Sequence, residues 1–239
     1  MKHSKFIAIA MSAIMVLSSC NMNNTTKGGL IGGGGGAALG ALVGGLIGGN
    51  AGGALIGAAV GGAVGTGAGV LIGKKMDKVK QQAEQVANAQ VSEVTDANGL
   101  QAVKVTFDSG ILFATGKYAL SETAKASLKE FATNVLIANP DLEVAIYGYT
   151  DNSGFKGKTA EQSYQLNKEL SQNRADAVKS YLYGLGVKTK QIAASTGFGE
   201  DNPVASNDTA AGKQQNRRVE VYLYASQEMI DAANKEAAN

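Results

Sequence analysis

Histidine, cysteine, proline and tryptophan are nearly missing from this 239-residue chain, which holds one, one, two and none of them. Each shortage closes off chemistry. The one histidine, His3, sits in a basic-then-apolar start (Lys2, Lys5, then Phe6 to Leu17) that has the layout of a removable export signal over 1–19. A mature chain without histidine has no Ser–His–Asp or Cys–His mechanism and lacks the commonest zinc ligand. The one cysteine, Cys20, leaves no internal disulfide and no cysteine metal cluster. No carboxylate pair stands out for acid–base work either. The expectation is therefore a protein that is not an enzyme, with no metal and no cofactor.

Charge of either sign is also short. The chain counts 22 basic and 20 acidic side chains, net +2, and removing Lys2 and Lys5 leaves 20 against 20. A neutral chain without a basic field is a poor nucleic-acid binder, so no nucleic-acid partner is expected.

What the chain has in excess is glycine, 32 residues concentrated in one block. The export signal ends in Leu17-Ser18-Ser19-Cys20, which resembles the bacterial lipobox, where the cysteine is lipidated and becomes the N-terminus. That resemblance implies an outer-membrane lipid anchor at Cys20, followed by a polar tether over 20–27. Asn21 follows the cysteine, so no aspartate there signals inner-membrane retention.

From Gly28 to Gly73 there is no charge at all. Gly28, Gly32, Gly36, Gly40, Gly44, Gly48 and Gly52 make one period-four row, and Gly45 through Gly73 a second. A period of four is a helix face, and glycines along it let another helix approach closely. The Gly-Gly-Asn50-Ala-Gly-Gly break predicts a turn, hence a helical hairpin over 28–73 with arms near 30–47 and 54–72. The segment resembles the glycine zippers of envelope lipoproteins. A membrane-associated hairpin, a self-packing or oligomerising one and a flexible linker are the three readings. Leu, Ile and Val throughout the block disfavour the linker. Residues 74–96 predict a helical linker with only a thin apolar stripe, Met76, Val79, Ala83 and Val86, more spacer than core.

Residues 97–226 predict an α+β domain, a mixed sheet with helices packed against it. Expected strands cover 102–107, 142–150, 192–198 and 218–224, with helices over 121–138 and 164–185; Ser121 is the expected N-cap of the first helix. The tail, 227–239, reads as a weakly amphipathic helix prone to fray.

The organising stretch of that domain runs from Gly148 to Ala175, GYTDNSGFKGKTAEQSYQLNKELSQNRA. On the helix, Asn167, Leu170, Ser171, Arg174, Val178, Tyr181 and Leu182 share one face at about 100° per residue. Arg174 thus falls inside the apolar stripe, where a guanidinium is costly unless paired, and Asp151 at the strand end offers a carboxylate. Two readings stand: a structural ion pair, or a polar cleft for a ligand carrying both an amine and a carboxylate. In NRRVEV, the alternation sets Arg218 facing out and Arg217 toward the cleft.

Three motifs in order, TDNSG, NKELSQNRADAVKSYL and GFGEDNPVASNDTAAGKQQNRRVEVYL, resemble the OmpA-like (OmpA C-terminal, Pal, MotB type) peptidoglycan-binding domain over roughly 103–224. The resemblance implies that Asp151 and Arg174 bind the diamino acid of the cell-wall stem peptide. Asn167 and Leu170 would line the groove, Asp108 and Phe113 would form a wall, and Arg217 would be a hallmark beside it. One departure is a longer segment, FKGKTAEQSYQ, between TDNSG and the helix, which predicts a loop beside the cleft. The function implied is a tether between outer membrane and peptidoglycan, with homo-oligomers possible through the glycine rows. The alternatives are an oligomerising or membrane-permeabilising glycine-zipper protein, and a stator-type motility protein. The stator needs a carboxylate within its membrane span, which the apolar block lacks.

Overall fold

Two hydrophobic periods set the architecture, a period of two along the strands and of three to four along the helices. The computed structural model describes residues 64–96 and 99–239. The expected export signal, the tether and most of the glycine hairpin lie outside them.

The first helix, α1 (Thr66–Glu84), turns at Asn88, which adopts a positive φ of 61°, into β1 (Ala89–Thr95). The next strand is β2 (Gln101–Asp108), before which the Asp96 carboxylate accepts the N–H of Leu100 at 2.8 Å. A short helix, α2 (Ser109–Leu112), precedes α3 (Glu122–Phe131), whose last turns widen into a π-helix over Ala132–Ile137. Ser121 caps α3 as expected, its hydroxyl accepting from the N–H of Ala124. Then follow β3 (Leu142–Gly148), α4 (Ala160–Gly184), β4 (Ile192–Gly197), α5 (Ala210–Asn216), β5 (Arg218–Ala225) and α6 (Gln227–Ala237).

The α+β expectation holds, with one strand more than the four expected. The sheet order is β1-β2-β5-β3-β4, with β3 and β4 parallel and the other neighbours antiparallel. Val105 and Ile146 both register on Val221 of the central strand β5. One face of the sheet contributes Val105, Phe107, Val144, Ile146, Val219 and Val221 to the main core, closed by side chains of α1, α3 and α4. The other face carries Tyr147, Tyr149, Phe198, Tyr222 and Tyr224 as a second cluster.

Two expectations are corrected. Residues 74–96 are not a spacer: Met76, Val79 and Ala83 are fully buried in the main core, and 89–95 is the edge strand of the sheet. A narrow stripe is enough where a helix lies flat on a sheet. Nor does the tail fray in isolation, because α6 buries Met229, Ile230 and Ala233 and packs beside α1. A Cβ on Gly67 would press on Ala237 at 2.8 Å, so glycine is what allows the start of α1 to lie against α6. No helix among the described residues is long and apolar enough to cross a membrane.

What positions the site is the approach of α4 to the sheet. A Cβ on Gly148 would overlap the Ser171 carbonyl oxygen, and one on Gly197 the Gln172 backbone. Two glycines facing one helix turn bring α4 to backbone distance from the ends of β3 and β4. Arg174 lies one turn further on.

Candidate functional site

Beyond Gly148 the chain continues extended through Tyr149 and Thr150 to Asp151, all buried. Asp151 Oδ1 accepts the N–H of Ser153 at 2.8 Å, and Oδ2 pairs with Arg217 Nη1. Burial works to raise the Asp151 pKa, but the Ser153 hydrogen bonds and the Arg217 guanidinium more than offset it, and the carboxyl lies below its ordinary value. The second terminal nitrogen of Arg217 donates to Gln214 Oε1.

Arg174 is 3 % exposed. Its guanidinium carbon lies 5.1 Å from the Phe113 ring centroid, and Nε donates to the Lys117 carbonyl at 3.0 Å. Its terminal nitrogens have no hydrogen-bond partner among the described residues. Burial, with Arg217 nearby, pushes the pKa down to about 10 against the pull of Asp151. Of the two readings of Asp151 and Arg174, the structural ion pair between them is therefore not formed. Arg217 has taken the carboxylate, and Arg174 rests on an aromatic face with its fork open.

Between these groups is a cleft of about 570 Å³. Asp151, Arg174, Asn167, Leu170 and Arg217 all line it, as does Phe113. Asn167 is held there by its amide, which donates to Glu200 at 2.9 Å and to the Ser153 carbonyl at 3.3 Å. Asp108 does not line it: it caps α2 through the N–H of Gly110 and accepts from Gln214 Nε2 at 2.7 Å. It braces Gln214, the side chain that does reach the cleft.

Arg218 is the second correction at the site. It is 5 % exposed, on the tyrosine-bearing face of the sheet, 3.8 Å above the Tyr149 ring and bonded to Glu220 at 2.9 Å. Glu220 also accepts from Tyr222 at 2.8 Å. Alternation gave the right parity, but the aromatic cluster on that face keeps the side chain from water.

Among the lining residues, Ser109 lies outside the motifs, and Thr150 opens TDNSG without being marked there as a site residue. The hydroxyls of Ser109 and Thr150 are buried in the cleft wall and have no hydrogen-bond partner among the described residues. Phe155 and Lys156 form another wall, as a loop beside the cleft would, but that loop is shorter than the 155–165 segment expected, because the capping box at Thr159 starts α4 already at Ala160. Among the described residues no group of His, Cys, Asp and Glu could hold a metal ion. A carboxylate, a guanidinium fork and two buried hydroxyls lining one cleft are the groups that can bind a small zwitterion.

Against known proteins, residues 112–217 match the OmpA family. They form an OmpA-family domain. Residues 1–77 match the YMGG-like Gly-zipper family, so a glycine-zipper segment precedes the OmpA-family domain in this chain. The chain is 42 % identical over 121 residues to the Probable lipoprotein YiaD of Escherichia coli (strain K12), spanning 50 % of this chain and 47 % of that protein. It is 45 % identical over 88 residues to the peptidoglycan-binding protein ArfA of Mycobacterium tuberculosis (strain H37Rv), spanning 37 % of this chain and 24 % of that one. The chain thus spans less than half the length of these curated relatives. A crystal structure of a MotB-like protein from Desulfovibrio vulgaris shares the fold, with a TM-score of 0.51 at 24 % identity over 64 % of this chain and 88 % of that one.

Proposed function

We propose that this chain is a non-enzymatic tether, fixed to the outer membrane by lipid on Cys20 and gripping peptidoglycan with its OmpA-family domain. The bound group is the diamino acid of the stem peptide. Asp151, set in place by Arg217, takes the ligand's ammonium. Arg174 clamps its carboxylate with the fork that faces no protein acceptor, bidentately where geometry allows. Ser109 and Thr150 supply hydroxyls that have no partner among the described residues, while Asn167 and Leu170 shape the wall.

The observation that carries this reading is a cleft in which the fork of Arg174 pairs with no acceptor among the described residues, and in whose wall the hydroxyls of Ser109 and Thr150 are buried without a partner among those residues. Buried polar groups without partners are costly in a purely structural site. A polar ligand would satisfy all three. A similar protein bears the name peptidoglycan-binding, and another the name lipoprotein, which supports the same reading. Single contacts can be weak, because an array held at a membrane faces a polymeric wall at high effective concentration. The glycine rows give the anchor a surface for self-association.

The test is sedimentation of the full chain with purified diaminopimelate-type sacculi. Soluble muropeptides that carry diaminopimelate are expected to release it, and lysine-type ones to do so poorly. A chain that stays in the supernatant, or release by both muropeptides alike, contradicts the proposal.

A further inference from the structure

We infer that Lys156 makes the cleft selective for stem peptides with a second free carboxylate, the α-carboxylate left by a γ-linked glutamate next to the diamino acid. The inference rests on the cleft being a peptidoglycan site, and adds a discrimination that the diamino-acid contacts do not provide.

The segment that bears Lys156 is built, although most of it is exposed. Its entrance is fixed by the N–H of Ser153 donating to Asp151. The N–H of Phe155 donates to Ser163 Oγ at 3.1 Å, which ties the loop down onto α4. The N–H of Lys158 closes a turn on the Phe155 carbonyl at 3.1 Å, with Gly157 at a φ of 74° in its third position. Such a turn needs glycine there, and it places Lys156 at the corner. Thr159 and Gln162 then close a capping box at the start of α4. Lys156 is thereby presented at the cleft wall from a loop anchored at both ends.

The charge count at the wall decides what Lys156 can want. The lining carries three cations, Arg174, Arg217 and Lys156, and one carboxylate, Asp151. Asp151 and Arg217 pair with each other. Arg174 and Lys156 are left as two cations that pair with no carboxylate among the described residues. They come from different elements, Arg174 from within α4 and Lys156 from the loop before it. A diamino acid offers one ammonium and one carboxylate at its free end, which Asp151 and Arg174 absorb. Lys156 then faces the next part of the ligand, where an ammonium would be repelled and a neutral amide would gain little. In a stem peptide the neighbouring anionic group is the glutamate α-carboxylate. Amidation of that group erases the charge and leaves the shape almost unchanged.

Because Lys156 is exposed, the preference is modest, about two- to fivefold, the range of a solvent-exposed ion pair, and it weakens with salt. The test is calorimetric titration of the full chain with two diaminopimelate muropeptides that differ only in a free or amidated glutamate α-carboxylate. Wild type should bind the free acid two- to fivefold more tightly, with the gap closing at high salt. Lys156→Gln should bind both peptides at the amidated affinity, with unchanged melting, and Lys156→Glu should prefer the amide. Equal binding of both peptides by wild type, or a preference that survives Lys156→Gln, overturns the inference and leaves the tether standing. Binding of neither peptide removes the tether reading and this inference together.

Discussion

Arg174 and Arg218 are both buried arginines, yet they sit in opposite chemical situations. Arg218 is saturated: Glu220 at 2.9 Å, the Asn216 and Asn202 carbonyls at 3.1 and 3.2 Å, and the Tyr149 face beneath it. Arg174 has one bond and an aromatic support. The first belongs to the fold, and the second is the one proposed to clamp the ligand's carboxylate. Glu220→Gln should therefore lower stability by about 3–5 kcal/mol, since it strands a buried charge. Denaturant melting would show it, and a loss under about 1 kcal/mol would mean the network tolerates a neutral partner. That Arg174 was special is legible from its place in the helical stripe. Its pairing is not, because a helix period says which way a residue faces and nothing about Arg217 arriving from the start of β5. The same limit hid the role of Asp108, which is spent on Gln214 and the cap of α2.

Among the elements, the four strands and two long helices expected within 99–225 are written in clear alternation and caps, whereas the short α2 and α5 fall where loops were expected, too short to show a period. The boundary elements are not written so clearly. The stripe Met76, Val79, Ala83 is too narrow to announce a core helix, and its partners are strands and α6, remote in sequence. Strand β1 is short of apolar residues because it lies at the edge, and its apolar residues Ala89, Val91 and Val94 are only partly covered. These elements nevertheless close the core. Met76→Ala should cost about 2–5 kcal/mol, as for other large-to-small changes at buried positions. A spacer helix would register almost nothing in the same thermal melt. Because α1 runs from Thr66 into the domain, the last glycines of the period-four row, Gly69 and Gly73, are buried in the domain itself.

For the whole molecule, a fixed body at the C-terminal end and a glycine-rich apolar segment at the other suit a tether whose two grips are far apart in sequence. Cys20→Ala should block acylation and the cleavage tied to it, leaving a longer precursor on a gel; processing and sorting like wild type would contradict the lipid anchor. The central claim is the ligand cleft, and Arg174→Lys tests it most directly through sacculus binding and thermal melting measured together. Lysine keeps the charge on the Phe113 face and removes the fork. Binding should weaken about tenfold or more, the worth of a charge-assisted bond of ~1.5–3 kcal/mol, with a melting temperature only modestly lower. Binding retained at the wild-type level while melting collapses would contradict it and make Arg174 a structural residue.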